Sequence, residues 1–395
     1  MSGFIEMQRA CATVNKNVKL SESKYRYKPL NLLRKQLQFL YGYVLGFLMA
    51  LTTLLCYDHF LLQAAQTRQH STITENWHSS SISTSHRPQN NSNTLQQHLI
   101  EEVRVLCMVL TTPAQHETHA AHVKATWGKR CTRLVFLSSE TDVKLGAVSV
   151  VESASDTYDL LWHKVRQGFR YVYAQYYGDY DWFLKADDDT YVIMENLRYS
   201  LYTYQPEMSV FFGYELMQQN VTYVSGGAGY VLSKEALRRA VILGFTNLTL
   251  CPPANYALPE DYSMSICLQN VGAMPLNSRF ILPNETKQKM FPLRLYDFMN
   301  ANETLVNADW IERLTPYAVE WGLDCCSNYS ISFHYTHPAE MYVFEFLIYH
   351  LRVAGMLQSH AVLPQKMEYE EVLSIFTSNR NESSNGMLLK WVDVS

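Results

Sequence analysis

Apolar and polar positions change texture three times along the chain. Residues 37–57 are nearly free of charge, and the run from Phe39 to Tyr57 is long enough to cross a bilayer as one helix. Residues 58–100 are rich in Ser, Thr, Asn, Gln and His with little apolar periodicity, the composition of a flexible stem. From Val103 onward, short apolar runs alternate with helical periods. Runs at 103–110, 133–137, 148–151 and 182–184 predict buried strands, with helices over 114–127 and 158–176. Further strands are predicted at 211–214, 221–224 and 330–335. Ser233 caps a helix over 234–243, and 341–351 reads as a final helix. Strands alternating with helices predict an α/β fold, its sheet mainly parallel and covered on both faces. The globular domain is expected over 101–356. Residues 357–395 show no readable pattern, which leaves a disordered tail open.

Charge orients the apolar span. Lys16, Lys19, Lys24, Arg26, Lys28, Arg34 and Lys35 precede it, and Asp58 with polar sequence follows. The excess of cations predicts a cytoplasmic tail over 1–36, a signal anchor over 37–57 and a lumenal remainder. A cleaved signal peptide is the rival, opposed by the long basic lead and the bulky residues after the span. A net charge of −4, with no basic stripe, argues against nucleic acid. The 27 Tyr and 7 Trp would suit stacking against sugar rings.

Six cysteines fall on the expected lumenal side: Cys107, Cys131, Cys251, Cys267, Cys325 and Cys326. An even number in an oxidising compartment predicts disulfides, although spacing does not decide their connectivity. The pairing taken here is Cys107 with Cys131, Cys251 with Cys267, and Cys325 with Cys326. Zinc is the alternative, and its paired C-x-x-C spacing is missing. Sequons at Asn90, Asn220, Asn247, Asn284, Asn302, Asn328 and Asn381 all follow the anchor, as lumenal glycosylation requires.

The chemistry centres on Trp182-Phe183-Leu184-Lys185-Ala186-Asp187-Asp188-Asp189. Three adjacent carboxylates repel one another, so placing them at the end of a core strand calls for compensating positive charge. A hard divalent cation supplies it, and ligands gather at the carboxyl ends of α/β strands. A solvated acidic turn or a helix N-terminus is the plain alternative. Glu260-Asp261 could serve as a general base if it faces that site, or could simply start a helix. His334 could complete a metal site or be structural. Ser225-Gly226-Gly227-Ala228-Gly229 permits either a tight turn or a close approach to a ligand. His116, His119 and His122 read as a solvated helix face.

These motifs, taken together, resemble the core 1 β1,3-galactosyltransferases of animal mucin-type O-glycosylation. The likeness is carried by Val123 through Trp127, Asp181 through Ile193, Ser225 through Leu237, Glu260-Asp261, Cys325-Cys326-Ser327 and Ser332 through Tyr335. It runs from about Val103 to about Gly355. The resemblance implies a GT-A nucleotide-sugar glycosyltransferase fold in a Golgi membrane protein, single-pass type II and commonly homodimeric. It also implies Mn²⁺, UDP-galactose as donor and GalNAc on Ser or Thr of glycoproteins as acceptor, with inversion at the anomeric carbon. Asp187 and Asp189 match the family's metal-binding D-x-D, with His334 as a second kind of ligand. Asp261 is then the base, with Glu260 beside it. Thr111, Thr112 and Pro113 fall where the uridine should lie, and Lys185 and Asp188 group with the donor-binding residues. Tyr230 and Trp321 are expected as sugar-pocket walls.

The chain departs from the family after Asp261, where Tyr262-Ser263-Met264-Ser265-Ile266-Cys267 replaces Leu-Ala-Leu-Gly-Arg-Cys. It departs again at Leu276-Asn277-Ser278-Arg279 and at Ala154-Ser155-Asp156. Two competing readings therefore stand beside the first: the same fold with another acceptor, and a catalytically silent chaperone or partner of the active enzyme.

Overall fold

A computed structural model of the chain describes residues 92–383 apart from 154–155, 254–257, 284, 301–308 and 355–362. The expected tail and anchor, most of the stem, and the sequons at Asn90, Asn284 and Asn302 lie outside the described residues. Among those described, no helix is long and apolar enough to cross a membrane.

The strands are β1 (Val105–Leu110), β2 (Arg133–Ser138), β3 (Ala147–Ser149), β4 (Trp182–Asp187), β5 (Tyr191–Val192), β6 (Val210–Gly213), β7 (Glu215–Gln218), β8 (Val221–Val224), β9 (Tyr230–Ser233), β10 (Met274–Asn277), β11 (Met290–Phe291) and β12 (Ser332–Phe333). The helices used below are α1 (Ser92–Glu102), α2 (Leu161–Tyr176), α3 (Met194–Leu201), α4 (Lys234–Arg239), α5 (Glu260–Asn270), α6 (Pro338–Glu345) and α7 (Tyr369–Ser383). Seven strands form the central sheet in the order β10-β6-β9-β4-β1-β2-β3. Its neighbours are parallel except β9, which runs antiparallel to both β4 and β6.

Alternation along β1 builds two cores. Val105, Cys107 and Val109 join one apolar cluster, and Leu106, Met108 and Leu110 join the other. Both faces are therefore covered, which is why the strand reads as a continuous apolar run. In β4, Trp182, Leu184 and Ala186 enter the first cluster and Phe183 the second. Lys185 occupies the next position on Phe183's face and is 1% exposed.

Several boundaries differ from expectation. The helix predicted over 114–127 is a broken run: a 3₁₀ turn at Pro113–Gln115, a wide π turn at His116–Ala120 and an α turn at Ala121–Ala125. Ser233 does cap α4, its Oγ accepting from the Ala236 N–H at 3.1 Å. The stem expectation fails at its end, where α1 begins at Ser92. The tail from 357 is corrected too: α7 docks by burying Val372 and Phe376, one helical turn apart. All three expected cysteine pairs are joined: Cys107–Cys131, Cys251–Cys267 and Cys325–Cys326.

Candidate active site

Strand β4 carries Asp187 out of the core at its carboxyl end. The chain then turns, with the Thr190 N–H donating to the Asp187 carbonyl at 3.1 Å, and re-enters a sheet as β5. Strand β12 pairs antiparallel with β5, Phe333 opposite Tyr191. One residue further, His334 must lie beside the acid turn, and the Thr336 N–H donates to the Asp189 carbonyl at 2.8 Å. This pairing brings a distant histidine to the triple acid.

The result is a three-residue cluster. Ligand atoms of Asp187, Asp189 and His334 all lie within 4.8 Å of one another. His334 Nε2 is 3.3 Å from Asp189 Oδ1 and 4.0 Å from Asp187 Oδ2. The partner of Nδ1 is the Pro292 carbonyl at 3.2 Å, so that nitrogen carries hydrogen and Nε2 is left for the acids. Metal-binding histidines are held this way. Burial pushes the Asp189 carboxyl up, but the hydrogen bond and charge of His334 outweigh it and hold it below its usual value. Burial alone would lower His334; Asp189 and Asp187 raise it above an ordinary histidine. Gly227 forms the floor, since a Cβ there would overlap the His334 ring. Two carboxylates and an imidazole on a cradle of this shape fit a divalent cation.

Asp188 points elsewhere. It is buried and accepts from Thr111 Oγ1 at 2.6 Å, which joins the carboxyl ends of β1 and β4. Burial, only partly offset by that bond, raises its carboxyl to about 7. Thr112 bonds Gln115 at 3.1 Å, and Pro113 opens the 3₁₀ turn beyond it. Sequence reading missed Lys164, buried on α2, whose Nζ meets the Thr111 carbonyl at 2.5 Å and Asp156 Oδ1 at 2.6 Å. A lysine among Trp162, Val165 and Phe169 on a buried face was the available signal.

A second group of charges lies behind the cluster. Lys185 Nζ is 2.8 Å from Asp187 Oδ1, 3.4 Å from Glu260 Oε2 and 3.2 Å from the Gly226 carbonyl. Burial pulls this ammonium down, but Asp187 and Glu260 overcome it and hold its pKa above that of a free lysine. Burial raises Glu260 to about 7 although Lys185 opposes the rise. Asp261 is raised by burial against the hydrogen bond from Gly226. Its Oδ2 accepts from the Gly226 N–H and its Oδ1 from the Tyr262 N–H, both at 2.8 Å. The glycine run thus serves close approach: a Cβ on Gly226 would come within 3.0 Å of Glu260 Oε2.

One expected pocket wall is placed differently. Tyr230 is fully buried, its hydroxyl donating to Glu260 Oε1 at 2.5 Å, so it offers no face to a sugar and braces the acid pair instead. Trp321 stacks on Phe298 and donates to Glu312 at 3.1 Å. His116 is also not on a solvated face; it is buried against Ser138 at 2.9 Å. The sequon residues Asn220, Asn247 and Asn328 are exposed, and Asn381 lies on α7.

A Fringe-like family model matches residues 100–282. The chain is 35% identical over 301 residues to the glycoprotein-N-acetylgalactosamine 3-β-galactosyltransferase 1 of Xenopus laevis, covering 76% of this chain and 80% of that protein. It is 23% identical over 183 residues to a β-1,3-glucosyltransferase of Mus musculus, covering 44% and 35% of the two chains. A human chondroitin sulfate synthase 3 is 24% identical over 182 residues, covering 42% and 20%.

Proposed function

The chain belongs to the family of glycoprotein-N-acetylgalactosamine 3-β-galactosyltransferases, and on that premise we propose that it moves galactose from UDP-galactose to O3 of GalNAc α-linked to Ser or Thr. The fold is then GT-A, with inversion at the anomeric carbon. The observation that carries this reading is the meeting of Asp187, Asp189 and His334 with the Glu260-Asp261 pair, bridged by Lys185. Asp187, Asp189 and His334 would hold Mn²⁺, which supplies Lewis acidity toward the departing diphosphate.

The remaining work falls to the protein's own groups. Asp261 takes the proton from the acceptor hydroxyl as that oxygen attacks the sugar. Its carboxylate is aimed by the two backbone N–H groups on its oxygens. Glu260 sits deeper, engaged by Tyr230 and Lys185, and positions its neighbour rather than touching substrate. Lys185 keeps the metal-binding acid and the acid pair together despite their like charge. Thr111 and Asp188 fix the strand ends where uridine is expected. The same reading makes the protein a homodimeric, single-pass type II Golgi enzyme with its domain in the lumen.

The test uses the full chain in detergent with UDP-galactose, Mn²⁺ and a GalNAc-α-peptide. Mass spectrometry should show one added hexose, lost with EDTA. No transfer, with Mn²⁺-dependent UDP binding retained, would point to another acceptor. Neither transfer nor nucleotide binding, in folded protein, would give the silent-partner reading.

A further inference from the structure

Helix α5 presents a second stripe beside its acid pair. Tyr262, Ile266 and Asn270 recur every four residues and line one wall of an open groove of about 590 Å³. The segment from Leu248 to Pro253 forms the facing wall, and Gln218 and Gln219 close one side from the β7–β8 turn. Among the described residues, none that lines it carries a charge.

The walls are braced to each other. The Cys251–Cys267 disulfide ties the facing segment to α5, and Asn270 Nδ2 donates to the Leu250 carbonyl at 2.8 Å. Behind that segment, Trp162 Nε1 and Arg166 Nη1 both donate to the Pro252 carbonyl at 3.2 Å. Gln269 Nε2 holds the Thr222 carbonyl of β8 at 2.8 Å. A groove held open in this way has little ordering left to lose when a ligand enters.

Its position and length say what enters. Pro259 and Tyr262, on either side of Glu260-Asp261 in sequence, both line it, so the groove begins at the end of α5 that carries the acid pair. Eleven residues of helix give it a length of about 16 Å. An extended chain advances about 3.3–3.6 Å per residue, so about five residues span it. A single sugar at Asp261 uses none of that length. The absence of lining charge disfavours polyanions, which need cationic partners.

We propose that this groove holds the polypeptide bearing the acceptor sugar, as an extended uncharged segment lying along α5 with the sugar hydroxyl turned to Asp261. The proposal rests on the galactosyltransferase reading above and assigns its specificity to Leu248, Gln219 and Ile266.

Charge placed on the walls should be read by charge on the peptide. Leu248 is 67% exposed and Gln219 is exposed, so Leu248→Lys and Gln219→Glu leave the core untouched. Two GalNAc-α-peptides, one flanked by glutamates and one by lysines, are compared with a methyl α-glycoside of GalNAc. For the unaltered chain the two peptides should have similar kcat/KM. Leu248→Lys should favour the glutamate peptide, and Gln219→Glu the lysine peptide, each by about threefold or more at low salt, fading as salt rises. The methyl glycoside should be unaffected. Peptide ratios that stay fixed in both variants, or a methyl glycoside that falls in step, would overturn the proposal. So would a change of oligomeric state in the variants with unchanged peptide ratios, which would give the groove to a second copy. Fluorescence anisotropy of labelled glycopeptides reads the same ratios without turnover. Failure of transfer alone therefore sinks the function and not the groove.

Discussion

His334 Nε2 lies 3.3 Å from Asp189 Oδ1, brought there by the pairing of β12 with β5. Both are expected metal ligands, so each should be needed for cation binding and neither for folding. Asp189→Ala should abolish metal-dependent transfer while the melting temperature of the protein stays nearly unchanged. His334→Ala should weaken Mn²⁺ at least about tenfold, as loss of a ligand or its support does elsewhere. Mn²⁺ titration by calorimetry in the presence of UDP checks this. Undiminished affinity in either variant would remove that residue from the ligand set.

Gly227 supports the same histidine through its lack of a side chain. A Cβ at this position would overlap the His334 ring, so Gly227→Ala must displace the imidazole or the loop. The expected phenotype resembles His334→Ala in metal affinity and leaves the melting temperature nearly unchanged. A variant with normal Mn²⁺ affinity would show that the ring has room to retreat without leaving the ligand set.

Lys185 is a fully buried cation facing Asp187 and Glu260. Removing one partner of a buried ion pair leaves uncompensated charge and costs about 3–5 kcal/mol. Lys185→Met should therefore lower the melting temperature at pH 7.5. Part of the loss should return at pH 6, because Lys185 holds the Glu260 carboxyl down; without it that carboxyl rises further, takes up a proton as pH falls and relieves the repulsion. A melting temperature independent of both substitution and pH would mean the acids rearrange freely.

Much of this architecture is legible in the chain, for definite reasons. Strands β1, β2 and β4 carry continuous apolar runs, and local pattern places them within two or three residues. Strand β9 is not read as a strand, because Tyr230-Val231-Leu232 is a short apolar stretch caught between the glycine run and the Ser233 cap, and its antiparallel pairing with β4 and β6 is made by distant parts of the chain. The break within 114–127 depends on His116 turning inward to Ser138, a tertiary contact that periodicity does not encode. Tyr230 reads as an accessible ring until its strand is placed between β4 and β6, where its hydroxyl meets only Glu260. The glycines at 226 and 227 read equally as a tight turn or as a close approach to a ligand, because the groups that crowd them, Glu260 and His334, come from elsewhere in the chain. α7 escaped notice because its buried contacts are a sparse pair, Val372 and Phe376, in a polar setting.

Lys289 provides a pH test far from the metal cluster in sequence. Its side chain is fully buried, with Nζ 3.5 Å from Glu285 and donating to the Arg279 and Lys287 carbonyls at 2.9 and 3.1 Å. Burial outweighs Glu285 and lowers its pKa to about 8 from 10.5. Below pH 8 the folded and unfolded chains both carry this proton, and the fold bears the full penalty, on the order of 3 kcal/mol. Between pH 8 and 10.5 the folded protein releases the proton while the unfolded chain keeps it, so the penalty is withdrawn and stability rises with pH. Other groups titrate in this range, so the measurement is the difference between the unaltered chain and Lys289→Met in urea unfolding from pH 7 to 10. The unaltered chain should gain on the variant steadily above pH 8. Parallel curves would mean that the ammonium is solvated or fully balanced by Glu285.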